Sequence, residues 1–481
     1  MRYKHALFLN PYRTGNSSRD SVRGLFPPTG LEYVATSAKG LVDNITLLDL
    51  RYEKELSDAD RLLDYISKEV DIVCVSIGWD RQLKEACDLL NRVPANVRLV
   101  VGGYKATEIV EELFDMCPNI NVIVRGEGEE TIKEILIDMP IEDIKGISYR
   151  QEGKIVHNMN RALPGVDTIM YPDRNLRRSK YRMEISGIPV ISLTFDTILS
   201  TRGCPYSCKF CTFSLNPLGQ KRKYSARSAR SVLEEIEGIT ADAVLFSDDN
   251  FFYDVKRAEE ICDLIIERKI KKRFIVQTRI DVSKYPSLLE KAVKAGFRLF
   301  LIGVESPHDW ILKELNKGFN SAAVRKAFEV FKNYPIYYHG YFIYGNIEET
   351  EKEMFYIAQF AKEIGLDSIT YSKLRIEKYS PLKEIVENTP GYHMGDGGTL
   401  YSDQYGEAAM KKIGKRIKFG FFTPVKLINI PIKFFRIKFF TFREIMSFFA
   451  ASPFLLKNII KREIVKGYIA DSIKRILIKN T

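Results

Sequence analysis

The sequence predicts an α/β protein: a doubly wound parallel sheet, then a partial (β/α)6 barrel, then a mostly helical basic tail. Three observations predict it. Short apolar runs alternate with helically spaced segments over residues 1–145, and the same alternation resumes over 196–385. A tight cluster of three cysteines opens the second array. Beyond residue 410 the composition changes to cations mixed with aromatics. Uninterrupted apolar runs mark strands buried on both faces, and strand–helix alternation places such strands in parallel sheets.

In the first array the expected strands are Ala6–Leu9, Ile45–Leu48, Ile72–Ile77, Arg98–Val101 and Val122–Val124. Asp58–Val70 and Arg81–Arg92, between them, have helical spacing. Open sheets of this kind bind ligands at the carboxyl ends of their strands. Those ends carry small residues here: Ser76 and Gly78 after the third strand, Gly102-Gly103 through Thr107 after the fourth, and Arg125-Gly126-Glu127-Gly128-Glu129 after the fifth. Glycine there lets a large flat ligand or a phosphate-bearing tail approach the backbone. Taken singly, each glycine serves a turn equally well.

Residues 146–195 read as a connector. A hairpin over Ile147–Ile155 turns at Glu152-Gly153, and a loop-rich stretch runs from Leu163 to Arg174. The second array starts at Ile198–Ser200. Its next strands are Ala243–Phe246, Phe274–Gln277, Leu299–Val304, Tyr338–Tyr344 and Ser368–Leu374, with helices such as Ala229–Glu237, Val255–Lys269 and Ser321–Lys332 between them. Six such units form an open relative of the eight-unit barrel, whose active-site residues stand at the carboxyl ends of its strands. Those ends read Ser247-Asp248-Asp249-Asn250-Phe251, Gln277-Thr278-Arg279-Ile280-Asp281, Gly303-Val304-Glu305-Ser306 and Tyr344-Gly345-Asn346, with Glu349-Thr350 just after. The expected divisions are therefore 1–145, 146–195, 196–385 and 386–481.

The run Thr201-Arg202-Gly203-Cys204-Pro205-Tyr206-Ser207-Cys208-Lys209-Phe210-Cys211 spaces the three cysteines C-x3-C-x2-C. Three thiolates on one loop hold three irons of a cubane cluster, and with no fourth cysteine nearby one iron is left open. An open iron binds and activates a small molecule. Structural zinc wants paired C-x2-C halves at a distance, and ordinary core thiols rarely crowd between Gly and Pro. The run resembles the radical SAM superfamily signature, C-x3-C-x-aromatic-C, at every defined position.

That resemblance implies a [4Fe-4S] cluster on Cys204, Cys208 and Cys211, with S-adenosylmethionine (SAM) on the open iron. It implies Phe210 against the adenine and Asp248 with its neighbours near the SAM amino group. Arg279 would fork onto the SAM carboxylate, and Glu305 would accept from the ribose hydroxyls. Gln277 and Ser306 complete the implied SAM set. Ile347 stands where the family carries proline, two residues after Gly345. Taken singly, each charged residue fits a solvated loop end or a structural ion pair as well as a functional role.

The first array, with the turn Pro27-Pro28-Thr29-Gly30-Leu31, resembles the cobalamin-binding domain found ahead of many radical SAM domains. The whole resemblance covers residues 1–385. It implies cobalamin contacts from Ser76, Gly102, Gly103, Thr107, Gly126 and Glu127. Cobalamin domains that ligate cobalt through histidine carry D-x-H-x-x-G after the first strand. Here Asn10-Pro11-Tyr12-Arg13-Thr14-Gly15 holds no histidine, so no protein imidazole is expected on the lower face of cobalamin. A decayed domain that binds no cobalamin is the competing reading.

Charge is unevenly spread. Residues 411–481 hold seventeen Lys and Arg against Glu444, Glu463 and Asp471, a net +14 in a chain of +11, so residues 1–410 carry −3. Ile417–Phe422, Ile432–Phe440 and Phe448-Phe449 interleave cations with aromatics. Such a segment suits peripheral membrane contact, with apolar side chains in the acyl boundary and cations at anionic headgroups. A cap on the barrel mouth ranks second. RNA binding ranks third, because the tail lacks an RNA motif, and nucleic acid is not an expected partner.

No 18-residue uncharged apolar run predicts a spanning helix, and the apolar N-terminal run is too short for a signal peptide. Cys74, Cys87, Cys117 and Cys262 read as core thiols, not a secreted disulfide framework. An oxygen-sensitive cluster suits the reducing cytoplasm, here at the inner face of the membrane. The five histidines form no metal-spaced pair. His339 and Tyr341 read first as core and second as substrate-facing.

Together these readings predict an enzyme that cleaves SAM reductively and abstracts hydrogen from an unactivated carbon. Through cobalamin it would methylate a hydrophobic, lipid or isoprenoid-type small molecule. A reductant protein such as flavodoxin or ferredoxin is the expected partner. The alternatives are a porphyrin-type oxidative cyclase, a tRNA methylthiotransferase-like enzyme and a non-catalytic lipid- or cobalamin-binding protein. Methylthiotransferases of that kind carry three further N-terminal cysteines, and Cys74, Cys87 and Cys117 are too scattered to match that signature.

Overall fold

The computed structural model describes residues 3–13, 26–182, 193–211 and 215–447, with Ala450 and Pro453 beyond. Thr14-Gly15, Phe448-Phe449 and most of the tail after residue 447 lie outside the described residues.

The first array runs β1 (His5–Asn10), α1 (Thr29–Ser37), β2 (Asn44–Asp49), α2 (Ala59–Glu69), β3 (Ile72–Ser76), α3 (Leu83–Leu90), β4 (Arg98–Gly102), α4 (Tyr104–Glu108), α5 (Val110–Met116), β5 (Val122–Val124) and α6 (Glu129–Leu136). Each strand lies within one residue of the apolar run that marks it. Helix α2 starts where Asp58 accepts from the Asp60 and Arg61 amides, an N-cap worth about 1 kcal/mol. The hairpin expected in the connector forms β6 (Ile147–Gln151) and β7 (Lys154–His157), and it extends the first sheet. The strand order is β2-β1-β3-β4-β5-β6-β7, parallel through β5 and antiparallel at the hairpin. The direction in which successive strands are added reverses between β1 and β3, and ligands of such sheets sit outside the strand ends at that switch point.

The second array runs β8 (Phe195–Ile198), β9 (Thr201–Arg202), β10 (Ser225–Ala226), α7 (Ala229–Gly238), β11 (Ala243–Phe246), α8 (Val255–Glu267), β12 (Arg273–Thr278), α9 (Pro286–Ala295), β13 (Phe297–Glu305), α10 (Asp309–Glu314), α11 (Ser321–Phe331), β14 (Tyr337–Tyr344), α12 (Glu351–Glu363), β15 (Ser368–Lys373) and α13 (Leu382–Glu387). Its parallel sheet has the order β15-β14-β13-β12-β11-β8, a barrel left open between β15 and β8. One strand differs from expectation. β8 occupies Phe195–Ile198 and not Ile198–Ser200, because Asp248 takes the amides of Ser200 and Thr201 out of the ladder.

The two faces of the barrel strands pack differently. Phe246, Phe274, Phe300, Ile302 and Phe342 point outward into the main core beneath the helices. Phe195, Ala243, Leu245, Ile275 and Tyr337 point into the lumen. The tail fills the lumen's base. After a short hairpin, β16 (Tyr392–Met394) and β17 (Leu400–Ser402), come α14 (Glu407–Phe421) and α15 (Pro424–Arg436). Ile437 and Phe439 are buried against those lumen residues, and Phe434 stacks on Tyr337 at 4.2 Å between ring centroids. Polar locks hold the plug: Arg273 to Glu444 at 2.9 Å and Lys433 to Asp367 at 2.8 Å. The cap therefore closes the amino end of the strands, not the mouth. The aromatics Phe434, Phe439 and Phe440 serve the barrel and are not free to enter a bilayer.

Connector arginines join the two sheets. Arg177 pairs with Glu32 of α1 at 2.6 Å and with Asp196 of β8 at 2.7 Å. Arg174 reaches Asp196 at 2.9 Å and Glu235 of α7 at 2.7 Å.

Phe439 is 0% exposed and Phe435 is 51% exposed, four residues apart on the same segment. Phe439→Ala is expected to cost about 3–5 kcal/mol, and Phe435→Ala about 0.5 kcal/mol or less. Chemical denaturation of the two variants checks this; equal losses would contradict the plug.

Candidate active site

The site begins where β8 ends. Asp248 is fully buried and accepts from the Ser200 amide at 2.7 Å, the Thr201 amide at 2.9 Å and the Ser200 hydroxyl. These bonds steer the chain into the cysteine loop. Gly203 follows with φ +78°, and a Cβ there would lie 2.5 Å from the Arg222 carbonyl, so only glycine fits the turn. Other elements fasten the loop from outside. Lys209 N–H donates to Leu315 O at 3.1 Å, Asn316 Nδ2 to Ser207 O at 2.8 Å and Ser380 Oγ to Lys209 O at 2.6 Å.

Cys204, Cys208 and Cys211 line one cavity of about 520 Å³ at the carboxyl ends of the barrel strands. Phe210, Gln277, Arg279 and Glu305 line it too. Arg279 lies 3.8 Å over the Tyr206 ring, bonds Lys317 O at 2.5 Å and places Nη1 3.9 Å from Cys208 Sγ. Burial raises the Cys204 thiol, and Arg279 is among the groups drawing it down. Glu305 closes β13 at φ +69°, a strained conformation for a non-glycine residue. Its Oε1 accepts from Lys317 Nζ at 2.8 Å. A Cβ on Gly303 would lie 2.6 Å from that oxygen, so Gly303 makes room for the pair.

Two assignments from the sequence shift here, and one residue is added. Asp248 is a loop anchor, and its neighbour Asp249 is the acid that faces the cavity. Ser306 is fully buried and accepts from the His308 amide at 3.1 Å, at the start of α10 and away from the cavity lining. Lys317, which sequence reasoning missed, is a buried cation of the site. The cavity thus presents Arg279 and Lys317 beside Glu305 and Asp249, a charge set matched to a zwitterionic ligand such as SAM.

A second cavity, of about 580 Å³, lies between the carboxyl ends of the first sheet and the barrel. Ser76, Gly102, Gly103, Gly126 and Glu127 line it. Gly103 has φ +108°, and a Cβ would lie 2.6 Å from Ile77 O. Thr107 stands behind the lining: its Oγ1 donates to Gly103 O at 2.9 Å and accepts from the Gly126 amide at 3.1 Å, stitching two of the loops together. The barrel adds Arg202 and Arg222, which sequence reasoning also missed. Arg202 pairs with Glu127 at 2.7 Å and Glu129 at 2.5 Å. Arg222 Nε stands 3.1 Å from Glu127 without hydrogen-bond alignment, and its Nη2 is buried with no partner. A buried unpaired guanidinium N–H in a ligand cavity asks for an acceptor, and the amide-rimmed corrin of cobalamin carries many.

Asp249 lines both cavities. Burial, then the Asp248 charge, pushes its carboxyl up to about 7. Among the described residues no three His, Cys, Asp or Glu side chains converge on a single metal position. Three cysteines on one loop facing a single cavity match the three thiolates that hold a cubane cluster. The cysteine loop fits the cluster.

Residues 198–361 match the Radical SAM superfamily and residues 18–136 the B12 binding domain. An uncharacterised methyltransferase of Pyrococcus horikoshii is 27% identical over 352 residues, 71% of this chain and 74% of that protein. The hopanoid C-3 methylase of Methylococcus capsulatus is 28% identical over 295 residues, 58% of this chain and 53% of the methylase, so the chain spans about half of that relative. Among solved structures, the radical SAM methyltransferase TsrM of Kitasatospora setae, with cobalamin and a [4Fe-4S] cluster bound, has a TM-score of 0.66 at 17% identity. The match covers 83% of this chain and 78% of TsrM. The chain thus carries a radical SAM domain with a B12-binding domain ahead of it, and it shares the fold of a cobalamin- and cluster-bound methyltransferase structure.

Two outcomes check the site. Cys208→Ala is expected to lower reconstituted iron from about four per chain to near zero, read by iron quantitation. A carboxyl raised in the folded chain favours folding at low pH, and that contribution is lost as pH rises through about 7. In metal-free protein, Asp249→Asn should therefore raise the melting temperature more at pH 8 than at pH 5. Equal shifts at both would place Asp249 in solvent.

Proposed function

We propose that the chain is a cobalamin-dependent radical SAM methyltransferase acting on an unactivated carbon of a hydrophobic, membrane-associated small molecule. One observation carries the chemistry: the two cavities share a wall at Asp249, so a methyl donor and a radical generator would meet across a single side chain. When bound, the cluster with SAM supplies hydrogen abstraction and cobalamin supplies a transferable methyl group.

The chain's own residues do the rest. Cys204, Cys208 and Cys211 hold the cluster. Arg279 and Lys317 face the carboxylate of SAM, and Glu305, fixed by Lys317, accepts from its hydroxyls. Leu301, Ile343 and Leu374 give the cavity an apolar wall that excludes water from a reactive carbon centre. Deeper in β14, burial pushes His339 down to about 4, so it stays neutral between Ser368 at 2.7 Å and Thr370 at 3.0 Å. Ile437 and Phe439 seal the base.

The membrane contact rests on the other face of the tail. Val425, Ile428, Ile432 and Phe435 are 44–68% exposed along one side of α15, with Phe442 and Met446 beyond. Lys418, Arg436, Lys438 and Arg443 form no ion pair among the described residues, and each basic residue near an anionic bilayer contributes about 1 kcal/mol. Among those residues no helix is long and apolar enough to cross a membrane. The exposed face lies beneath the strand starts, roughly 20 Å from the cysteine loop along a six-residue strand. A substrate drawn from the bilayer must extend that far or leave it, as a long isoprenoid chain can.

Incubation of the reconstituted chain with SAM carrying a deuterated methyl group and a membrane lipid extract tests the reading. The expected result is 5′-deoxyadenosine together with deuterium-labelled lipid. SAM cleavage with label confined to a water-soluble product would contradict the lipid assignment. Co-sedimentation with phosphatidylglycerol vesicles tests the docking face: Ile428→Asp with Phe435→Asp should weaken it several-fold, and an unchanged bound fraction would remove the membrane contact.

A further inference from the structure

The barrel lumen above the plug has two unlike walls. Leu245, Ile275, Leu299 and Leu301, on β11 to β13, make one wall aliphatic. The other is polar. On β14, His339 and Tyr341 follow Tyr337 at every second position and share its inward face. β15 runs alongside in register, with Ser368 beside His339, Thr370 beside Tyr341 and Ser372 beside Ile343. Its side chains divide by parity. Ile369 is buried under the outer helices, whereas Ser368 and Thr370 turn inward to His339, at 2.7 Å and 3.0 Å, and Ser372 turns to the cavity.

Tyr341 and Ser372 both line the cavity that holds the cysteine loop. Neither hydroxyl has a hydrogen-bond partner among the described residues. Thr370 and Ser372 are exposed, so the lumen beside them is open space. β15 is an edge strand, and hydroxyls on such a strand serve solvent equally well. β14 lies inside the sheet, however, and there a free phenol faces the cavity.

This wall carries no charge of its own. Glu305 pairs with Lys317, and Arg279 with Asp281. Asp249 follows β11, with β12 and β13 between it and β14. Lys373 borders the cavity, but its Nζ is turned to the Tyr401 hydroxyl at 2.7 Å. At the rim Arg375 and Glu377 lie 3.8 Å apart. Gln277 of β12 also borders the cavity, two residues from Arg279 at the SAM side. A hydrocarbon laid over Tyr341 and Ser372 would strip their water and return no bond, and a charged group would meet no counter-ion. A hydroxyl or carbonyl satisfies both, because each side chain donates and accepts.

Resting on the methyltransferase reading above, we propose that the β14–β15 wall, through Tyr341 and Ser372, binds an uncharged oxygen group of the substrate. The substrate is then an oxygenated amphiphile. Its hydroxyl or carbonyl lies near the carbon that is methylated, and its apolar part lies against Leu299 and Leu301. A plain hydrocarbon does not fit this wall.

The test uses the reconstituted full chain and SAM with a deuterated methyl group. The membrane lipid extract is separated on silica into a hydrocarbon fraction and an oxygenated fraction, and the water-soluble extract is assayed beside them. Labelled product is expected from the oxygenated fraction, with about tenfold less or lower from hydrocarbons. Equal labelling of the two, or label from hydrocarbons alone, would overturn the proposal. The double variant Tyr341→Phe with Ser372→Ala should lower labelled product per 5′-deoxyadenosine about tenfold. Its reconstituted iron and the electron paramagnetic resonance signal of its dithionite-reduced cluster should match the wild type. Ser372→Thr, which keeps the hydroxyl, should keep the wild-type ratio. Where the double variant fails to take up iron, Tyr341→Phe and Ser372→Ala are read singly. An unchanged ratio would overturn the wall, and loss of SAM cleavage would overturn it by assigning Tyr341 to SAM. Label from the water-soluble extract alone would overturn the lipid assignment, and the variants assayed on that extract would still decide the wall. Absence of 5′-deoxyadenosine from the wild type would overturn both.

Discussion

The architecture depends on a group of charges buried where the two sheets meet. Arg174 and Arg177 belong to the connector, Glu32 to α1, Asp196 to β8 and Glu235 to α7. Burial alone would raise the Asp196 carboxyl, yet the Arg177 and Arg174 guanidiniums hold it below the usual range. Such a network contributes little net stability against an apolar replacement, because desolvation offsets most of the attraction. Breaking it is different: an orphaned buried charge costs about 3–5 kcal/mol. The network therefore specifies geometry. It admits one docking of sheet on barrel, and that docking sets the two cavities side by side. Arg202 with Glu127 and Glu129 repeats the device at the cavity rim, nearer the chemistry.

Within that frame, the site is rigid where it must hold a cofactor and neutral where it must not compete. The cysteine loop makes backbone bonds to α10 and to the segment after β15. Its three cysteines are thus positioned by strands and helices remote in sequence. The tail has two faces with different duties. One plugs the lumen and gives the cavity a floor; the other stays apolar and basic toward solvent. Packing therefore satisfies part of the cation–aromatic composition, and the exposed remainder is the face proposed to meet a membrane.

Much of this was legible in the sequence. Both arrays, ten strands of the two main sheets to within two residues, and the grouping of three cysteines on one cavity follow from apolar runs and spacing. The misreadings share one cause: local pattern does not give side-chain direction or long-range partners. Asp248 and Asp249 are adjacent acids at a strand end. Strands buried on both faces carry no alternation to say which parity faces the lumen, so the choice between the two awaited the fold. Lys317, Arg202 and Arg222 came to the cavities through contacts between distant segments. A buried lysine or arginine reads as a solvated one until its carboxylate is found. Thr107 and Ser306 were assigned to ligand contact and proved to shape the loops behind it. Phe439 read as interfacial because nothing in its neighbourhood reveals a barrel base awaiting a plug. The connector hairpin joined the first sheet because the edge of β5 left its backbone groups to be paired.

The two cavities share a wall at Asp249, and the proposed chemistry needs a cofactor on each side of it. The most direct measurement is a crystal structure of the reconstituted chain with cobalamin and SAM. A corrin is expected between Ser76, Gly103 and Gly126 on one side and Arg202 and Arg222 on the other. SAM is expected against Arg279, Lys317 and Glu305, with the Asp249 side chain between the two ligands. A corrin bound elsewhere, or a continuous protein layer separating it from the cysteine loop, would contradict it.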